Sequence, residues 1–360
     1  MQLFETASKF CLRDPTRRRC GDRREQPVQD LKGGLIANYL ASEKSNTPVS
    51  VIFVGYNSEA AFAKYLPDFA SSSPANFQMI LVDNGSMDRT VTKFREIFPH
   101  GDVIETGENL GFAKAVNIGA GKATGDWLLL LNPDAAAKGT DIVALHESVV
   151  GRSECAVVGP LFKSGGKVIP AGRFPTAWRM FLHATALSVF APVGGLLEGH
   201  YIRVKAIGRG LRPVDWVTGG CLLVRRDAWT TVGGLTERWF MYGEDLDFCY
   251  QVKRYGYEVL LNQDVTIFHE VGQSSSGIDG KISVVWLKNL FDFYSSQIVT
   301  NSVGRLAWKS VVSLGFFGRS ALFAFLARMR RDGRLACEAK RFRIYAAAIR
   351  PGPADFKRAR

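Results

Sequence analysis

Three short acidic clusters contain the side chains of this chain that are best suited to chemistry. They are Asp83-Asn84-Gly85-Ser86, Asn132-Pro133-Asp134 and Gly243-Glu244-Asp245. The first two directly follow apolar runs that predict buried strands, and the third opens an amphipathic helix. Because open α/β sheets bind ligands outside the carboxyl ends of their strands, we expect the first two clusters at one ligand-binding edge. With a later histidine, His269, the set suits holding a metal–diphosphate and activating a hydroxyl beside it.

The first two clusters each allow a functional and a structural interpretation. Asp83 could hydrogen-bond a nucleobase or ribose, with a tight Gly85 turn beside it, or simply form an Asx turn. Asp134 is the candidate metal ligand, since Mg²⁺ needs only one or two protein carboxylates when substrate phosphates and water complete its shell. Asn-Pro-Asp is also a good turn sequence. The buried strand before Asp134 favours the ligand crevice.

Asp245 is distinguished by its helical phase. On a helix beginning near Glu244, it falls on the apolar stripe, whereas Glu244 and Asp247 fall on a wetter face. Three apolar residues follow it at helical spacing: Phe248, Cys249 and Val252. A carboxylate at this position is either a helix cap or a partly desolvated general base, and we favour the base. His269, at the end of a predicted strand, is either structural or a metal or phosphate contact.

The elements that must position these groups alternate between strand and helix. Strands are predicted at 49–54, 79–82, 103–105, 127–131, 156–159, 216–224, 258–261 and 265–268, and helices at 58–70, 88–98, 111–122, 139–150 and 244–255. This order indicates an α/β fold whose mostly parallel sheet has helices on both faces. The Gly-, Pro- and Arg-rich stretch 160–215 is expected to shape a substrate cleft.

Composition separates the ends of the chain from its middle. The chain has 360 residues and a net charge of +12, and residues 328–360 alone contribute +8, from eleven Lys/Arg against three Asp/Glu. Six scattered cysteines without metal-finger spacing suit reduced thiols, and no export signal is recognised near the first residue. We therefore expect a cytoplasmic protein with a polar, basic extension at 1–47, a catalytic domain at 48–275 and a helical region at 276–360.

The helical region predicts contact with a membrane. Stretches 284–298 and 303–327 are apolar and aromatic, yet Arg319 falls near the middle of the run that approaches spanning length. Two packed helices with a membrane-facing stripe are favoured over a spanning helix. The basic C-terminus suits an anionic membrane surface. A nucleic-acid partner is disfavoured, because the aromatics lie at helical core positions and form no interleaved stacking platform.

Five segments then carry a resemblance to a known family. In the family's order the chain contains Val-Asp83-Asn-Gly-Ser, Asn109-Leu-Gly-Phe-Ala, Leu131-Asn-Pro-Asp, Thr218-Gly-Gly-Cys and Phe240-Met-Tyr-Gly-Glu-Asp-Leu-Asp. They resemble glycosyltransferase family 2, the inverting enzymes of the GT-A fold, and within it the bacterial rhamnosyltransferase-like branch. The similarity covers about residues 49–275, divided into a nucleotide-sugar-binding half at 48–150 and an acceptor and catalytic half at 151–275.

The resemblance implies a role for each candidate residue. Asp83 would read the nucleotide base, Asp134 and His269 would bind Mg²⁺ or Mn²⁺, and Asp245 would be the catalytic base. Asn132 stands where the family's metal motif often has a first aspartate. Further donor-binding residues implied are Tyr56, Asn57, Gly111, Asn117 and Asn132, and the acceptor region implied is Trp216, Gly219, Gly220 and Glu244.

The resemblance also implies a reaction. A sugar, with rhamnose as the family-based expectation, moves from a dTDP-, UDP- or GDP-sugar to a hydroxyl of a saccharide or polyprenyl-linked acceptor, on the inner face of the cell membrane in cell-surface polysaccharide assembly. The alternatives are a nucleotidyltransferase of related fold and a non-catalytic, membrane-associated nucleotide-binding protein. A dinucleotide-binding dehydrogenase is disfavoured, since the turn after the first strand, Gly55-Tyr-Asn-Ser-Glu, lacks the required glycine pattern.

Overall fold

A ten-stranded mixed sheet organises the chain. The structure is a computed structural model that describes residues 48–164, 167–169, 171–190, 196–202, 208–269, 282–352 and 355, so the predicted extension at 1–47 lies outside the described residues. The strands are β1 Val49–Gly55, β2 Gln78–Asp83, β3 Asp102–Glu105, β4 Trp127–Leu131, β5 Ala135–Ala136, β6 Cys155–Ser164, β7 Lys167–Ile169, β8 Leu211–Pro213, β9 Cys221–Arg225 and β10 Glu258–His269.

The strand order is β3-β2-β1-β4-β9-β6-β10-β5, with β7 paired to β6 and β8 to β10. Strands β3, β2, β1 and β4 are parallel, as are β6 and β10. Strand β9 lies antiparallel between β4 and β6. The carboxyl ends of β1, β2, β4, β6 and β10 therefore meet the amino end of β9 at one edge of the sheet.

Ten helices accompany the sheet in the described residues. They are α1 Glu59–Ser72, α2 Thr90–Ile97, α3 Phe112–Lys122, α4 Gly139–Val149, α5 Ala177–Thr185, α6 Arg226–Val232, α7 Glu244–Arg254, α8 Val285–Phe293, α9 Ser302–Arg330 and α10 Gly333–Ile349. Short helical turns, Leu187–Phe190 and Tyr294–Ile298, follow α5 and α8.

Both faces of the sheet are covered, as the near-pure leucine strand predicts. In β4 all five residues are buried. Because side chains alternate across a strand, Leu128 and Leu130 enter one hydrophobic cluster while Leu129 and Leu131 enter the other. This arrangement confirms the predicted mostly parallel sheet with helices on both sides.

Two strand predictions are corrected. The predicted strand at 216–224 begins only at Cys221, because a turn at Gly219-Gly220 interrupts the chain and Trp216 forms only an isolated bridge with Gly172. The two predicted strands at 258–261 and 265–268 form the single strand β10, with an irregularity between Asn262 and Thr266 where it pairs with β6. A bulge preserves pairing while it bends the strand.

The C-terminal helices are packed together. The interpretation of the sequence named helices over 284–298 and 303–327; the structure has α8 and the longer α9, and adds α10. Phe316 of α9 stacks on Phe342 of α10 with their rings 6.0 Å apart. On its other side, α9 approaches α5 so closely that a Cβ at Gly315 would lie 2.9 Å from the Ala184 Cβ.

Candidate active site

Asp134 and His269 meet at the predicted edge of the sheet. Asp134 follows β4, and His269 ends β10. Their Oδ1 and Nε2 atoms are 2.9 Å apart, and the Asn132 Nδ2 lies 3.5 Å from the same imidazole nitrogen. The Phe162 ring packs against the imidazole at 5.5 Å between centroids. Residues 135 positions apart in the sequence therefore form one polar cluster beside an aromatic wall.

The donor set of this cluster fits a divalent cation. It offers one carboxylate, one imidazole and a neighbouring amide, and among the described residues no third His, Cys, Asp or Glu joins them. Mg²⁺ binds commonly through one or two carboxylates, with water and phosphate oxygens as the remaining ligands. Mn²⁺ accepts carboxylate ligands too. Asp134 and His269 would hold the ion, with Asn132 beside them.

Asp245 is joined to this cluster through the turn that precedes β9. The Asn132 backbone N–H donates to the Gly220 carbonyl at 2.9 Å, and the neighbouring Gly219 N–H donates to Asp245 Oδ2 at 2.9 Å. Asp245 Oδ1 accepts from the Leu246 N–H at 2.8 Å. Burial raises the pKa of the carboxyl, although these N–H groups oppose the shift. Its side chain nevertheless stays half-buried, as a base that meets a substrate must.

The predicted environment of Glu244 is wrong. Glu244 and Asp247 were expected on a wetter face, yet both are buried, at 5% and 6% exposure, and Asp245 is more accessible than either. The π-helical turn after α8 covers this side of α7, where Gln297 Nε2 donates to Asp247 Oδ1 at 3.0 Å. Glu244 Oε2 is buried with no hydrogen-bond partner in the described part of the chain. Burial, followed by the charge of Asp245, raises the Glu244 pKa.

Asp83 forms the predicted turn and leaves one carboxylate oxygen without a partner in the described residues. Its Oδ2 accepts from the Ser86 N–H at 3.1 Å, which is the Asx-type turn. Its Oδ1 is buried and, within the described residues, has no hydrogen-bond partner. An unpaired buried carboxylate oxygen is costly and therefore marks a site where a ligand donor could satisfy it. Asp83 is at the carboxyl end of β2, paired in register with Gly55 of β1.

Tyr56 and Asn57 form the rim beside Asp83. Tyr56 is 51% exposed, so its ring is free to contact a ligand. Asn57 has a positive φ of 49°. Its side-chain Oδ1 accepts from the Met87 N–H at 2.8 Å, and its own N–H donates to the Ser86 hydroxyl at 2.9 Å. Asn57 thus ties the turn after β1 to the turn after β2.

In the predicted donor loop, the Gly111 backbone lies very close to the backbone of Phe240. It adopts φ +85° and ψ 173°, a region almost restricted to glycine. A Cβ there would lie 2.6 Å from the Phe240 carbonyl oxygen, the same oxygen that accepts the Phe112 N–H at 3.0 Å. The loop is thereby joined to the segment that leads into α7 and Asp245.

Asn84 is an organising residue that the sequence interpretation missed. Its buried amide donates to Asn109 Oδ1 at 2.9 Å and to the Gly111 carbonyl at 3.2 Å, and its Oδ1 accepts the Leu110 N–H at 2.9 Å. One side chain therefore shapes the whole turn before α3. Its position directly after Asp83 was the available signal, but its partners lie 25 to 27 residues away.

Asn117 uses its amide inside the protein. Its Nδ2 donates to the Leu235 carbonyl at 2.9 Å and to Glu237 Oε1 at 3.0 Å, and its Oδ1 accepts the Leu235 N–H at 2.9 Å. Asn117 therefore anchors the segment before α7 onto α3. Its predicted contact with a donor stays a prediction, and the structure gives it a positioning role.

A cluster of aromatic rings lies near Asp245. The predicted acceptor residue Trp216 is buried at 7% exposure, donates its indole N–H to the Arg173 carbonyl at 3.3 Å and stacks on His200 at 5.2 Å. Tyr201, which the sequence interpretation missed, packs against Trp216 at 5.7 Å. Burial, followed by the Asp245 charge, raises the pKa of Tyr201 to about 12, so the phenol stays protonated near the candidate base.

Comparison with known proteins finds one family model and two individual relatives that resemble this chain. The family described as glycosyl transferase family 2 matches residues 50–179. An N-acetylglucosaminyl-diphospho-decaprenol L-rhamnosyltransferase of Mycobacterium tuberculosis is 31% identical over 238 residues, which are 62% of this chain and 76% of that protein. The low-salt glycan biosynthesis hexosyltransferase Agl10 of Haloferax volcanii is 24% identical, over 73% of this chain and 80% of its own.

Solved structures share the fold. A crystal structure of GalNAc-T7 with UDP, GalNAc and Mn²⁺ superposes with a TM-score of 0.53 at 14% identity. The match covers 71% of this chain and about half, 49%, of that chain. At this identity the likeness is one of fold alone, and it agrees with the GT-A architecture that the family resemblance implies.

Proposed function

The chain belongs to glycosyl transferase family 2, and on that premise we propose that it is an inverting, divalent-metal-dependent enzyme that transfers rhamnose from a nucleoside-diphosphate sugar to a hydroxyl of a lipid-linked saccharide. The observation that carries the proposal is the position of Asp245. Its half-buried carboxylate is fixed by two backbone N–H groups and is linked through one turn to the Asp134–His269 pair.

Asp245 is suited to remove the acceptor proton. A nucleoside diphosphate leaves as a stable anion, so no second carboxylic acid is required to protonate it, unlike in a glycosidase. The raised pKa of Asp245 makes it a stronger base than an exposed aspartate. The Gly219 and Leu246 N–H groups hold the carboxylate in one orientation, and the attacking hydroxyl then approaches from the face opposite the diphosphate, which inverts the anomeric carbon.

The remaining residues bind and orient the donor. Asp83 offers its unpaired Oδ1 to the nucleobase of the donor, and Tyr56 offers an exposed ring. Asn84 and Gly111 shape the loop around the nucleotide. Asp134 and His269 would hold the divalent ion. When bound, that ion neutralises charge on the diphosphate leaving group. A Cβ at Gly219 would lie 3.4 Å from the Asp245 Cβ, and one at Gly220 would lie 3.5 Å from the Asn132 Nδ2, so the two glycines leave room beside both side chains.

The choice of substrates is supported by relatives. The mycobacterial relative is named for rhamnose transfer to a diphospho-decaprenol saccharide. We therefore assign a dTDP-rhamnose donor and a polyprenyl-linked acceptor at the cytoplasmic face of the membrane in cell-envelope polysaccharide assembly. Residues 48–150 serve the donor and 151–275 the acceptor, with a helical, membrane-associating region after them.

The test is transfer by the purified full chain with Mn²⁺ and dTDP-, UDP- or GDP-sugars on a polyprenyl-diphosphate saccharide. Asp245→Asn should lower turnover by about 10²–10⁴-fold, the usual contribution of a general base, while donor affinity is retained. Asp247→Asn, on the same helix turn, is the matched control and should stay near wild-type, since an amide oxygen can still accept from Gln297.

Two results would overturn the proposal. If Asp245→Asn lowered donor affinity as much as it lowered turnover, Asp245 would not be the catalytic base. Release of a sugar 1-phosphate, with the nucleoside monophosphate joined to the acceptor, would indicate nucleotidyl transfer, whereas a glycosyltransferase releases the nucleoside diphosphate.

A further inference from the structure

The outward face of α9 is apolar along almost its whole length. Six large side chains on it are between 54% and 69% exposed: Val303, Leu314, Phe317, Leu322, Phe325 and Met329. With 3.6 residues per turn, these six fall within an arc of about 140°. We define them as the apolar face of α9.

The apolar face is too large for an ordinary water-facing helix. Phe317 and Phe325 alone, with about 200 Å² each and roughly 60% exposed, present roughly 240 Å². Four aliphatic residues add to this area, and soluble monomers rarely expose contiguous apolar patches beyond a few hundred Å². The face therefore requires a partner.

The apolar face continues onto α5. A groove between the two helices, with a volume of about 180 Å³, is lined by Phe181 and Thr185 of α5 and by Leu314, Leu322 and the cationic Arg319 of α9. Trp178, 49% exposed, stacks on Phe181 at 5.7 Å. The apolar surface therefore extends from α9 onto α5 of the catalytic domain. Both helices must contact the same partner.

The inward face of α9 excludes a spanning arrangement. By length and composition α9 could cross a membrane. However, Trp308 donates its indole N–H to the Pro175 carbonyl at 2.8 Å, and the Ser320 hydroxyl donates to the Ala339 carbonyl at 2.8 Å. Arg319 donates to the His183 carbonyl at 3.4 Å. A spanning α9 would draw the cationic α10 and the attached α5 into hydrocarbon, which is costly.

Positive charge is concentrated at the end of α9 and on α10. Helix α9 contains no Asp or Glu. Six cationic residues at its end and on α10 are exposed: Arg328, Arg330, Arg331, Arg334, Lys340 and Arg343. Each such residue near an anionic bilayer contributes attraction. A second copy of the chain would bring the same positive charge, whereas anionic lipid supplies the opposite sign.

We propose that α9 docks in the plane of an anionic bilayer, with its apolar face among the acyl chains and with Arg319 of the groove and the arginines at the end of α9 at the headgroups. An apolar face with a cationic border is the arrangement of in-plane amphipathic helices. The purpose of this surface rests on the proposed lipid-linked acceptor. It would hold the cluster of aromatic rings around Tyr201 close to the lipid surface, since His183 contacts both Tyr201 and Phe316 of α9, at 5.1 and 6.3 Å.

The test measures binding of the full chain to vesicles without any donor. Vesicles of phosphatidylcholine mixed with phosphatidylglycerol should sediment the protein, and phosphatidylcholine alone should do so more weakly. Phe317→Ser combined with Phe325→Ser should lower the partition coefficient at least about tenfold. Tyr255→Ser is the matched control, because Tyr255 is 59% exposed, like Phe317, and lies outside the apolar face. An unchanged melting temperature would exclude misfolding.

Three outcomes would overturn the docking proposal. The first is that the double variant binds vesicles as strongly as wild-type protein does. The second is that wild-type protein stays in membranes after alkaline carbonate extraction. The third is that wild-type protein is a dimer in solution and the double variant is a monomer. Transfer to a short, soluble acceptor separates this proposal from the proposed function. The double variant should keep that activity and Asp245→Asn should lose it, so each proposal can fail without the other.

Discussion

Replacing Gly111 by alanine tests whether the donor loop and the catalytic helix are mechanically joined. Gly111 lies at φ +85° and ψ 173°, where a Cβ would approach the Phe240 carbonyl oxygen to 2.6 Å. The Phe240 carbonyl cannot move away from the added Cβ without loss of a hydrogen bond, because its oxygen also accepts the Phe112 N–H. The segment that begins at Phe240 leads directly into α7, so displacement there moves Asp245.

The expected cost follows from these contacts. A residue with a side chain in this backbone region costs about 1–3 kcal/mol. Loss of the hydrogen bond to Phe240 adds about 1 kcal/mol. A total of roughly 2–4 kcal/mol corresponds to a fall of roughly 4–8 °C in melting temperature for a domain of this size. Turnover should fall further than stability alone explains, since the base is displaced from the acceptor.

Calorimetry and transfer kinetics on the same preparation provide the assay. Gly121→Ala is the matched control, because Gly121 is a glycine of α3 with no atom within 4 Å of a built Cβ. It should raise stability by about 0.5–1 kcal/mol through helix propensity. A Gly111→Ala protein with wild-type melting temperature and turnover would refute the coupling.

Three further predictions concern neighbouring residues. Asn84→Ala should cost about 2–3 kcal/mol of unfolding free energy and raise the donor KM, because the Leu110 N–H loses its acceptor; an unchanged KM would contradict this role. The folded-state pKa of Glu244 is raised above its ordinary 4.5, so its contribution to stability is present at low pH and lost as pH rises. As pH rises from about 5 to 9, the unfolding free energy of Glu244→Gln in urea should therefore increase relative to that of wild-type protein. A decrease would contradict the assignment of a buried, unpaired Glu244 carboxyl. Asp134→Ala should weaken Mn²⁺ binding at least about tenfold by calorimetry, while chelation of the metal stops transfer by wild-type protein; undiminished Mn²⁺ affinity would remove the metal assignment.

The local elements, and the positions of the candidate site residues within them, could be predicted from the sequence. The leucine run of β4 is predicted at its observed bounds, because a buried strand needs a continuous apolar segment. The positions of Asp83 and Asp134 after strands place them at the ligand edge for the same reason. Local propensity and periodicity carry this information, since each depends on residues close together in the chain.

Relations across the chain were decided only by the tertiary structure. The antiparallel insertion of β9 brings the Gly219-Gly220 turn between Asn132 and Asp245, and no local pattern encodes that pairing. The helical periodicity predicted that Glu244 is exposed to solvent, but the turn after α8 buries this side of α7. Asn84 and Asn117 found their partners, respectively, 25 and 118 residues away. Burial and hydrogen-bond partners depend on what the fold brings near, so the sequence supplied the candidate groups and the packing determined how each is held.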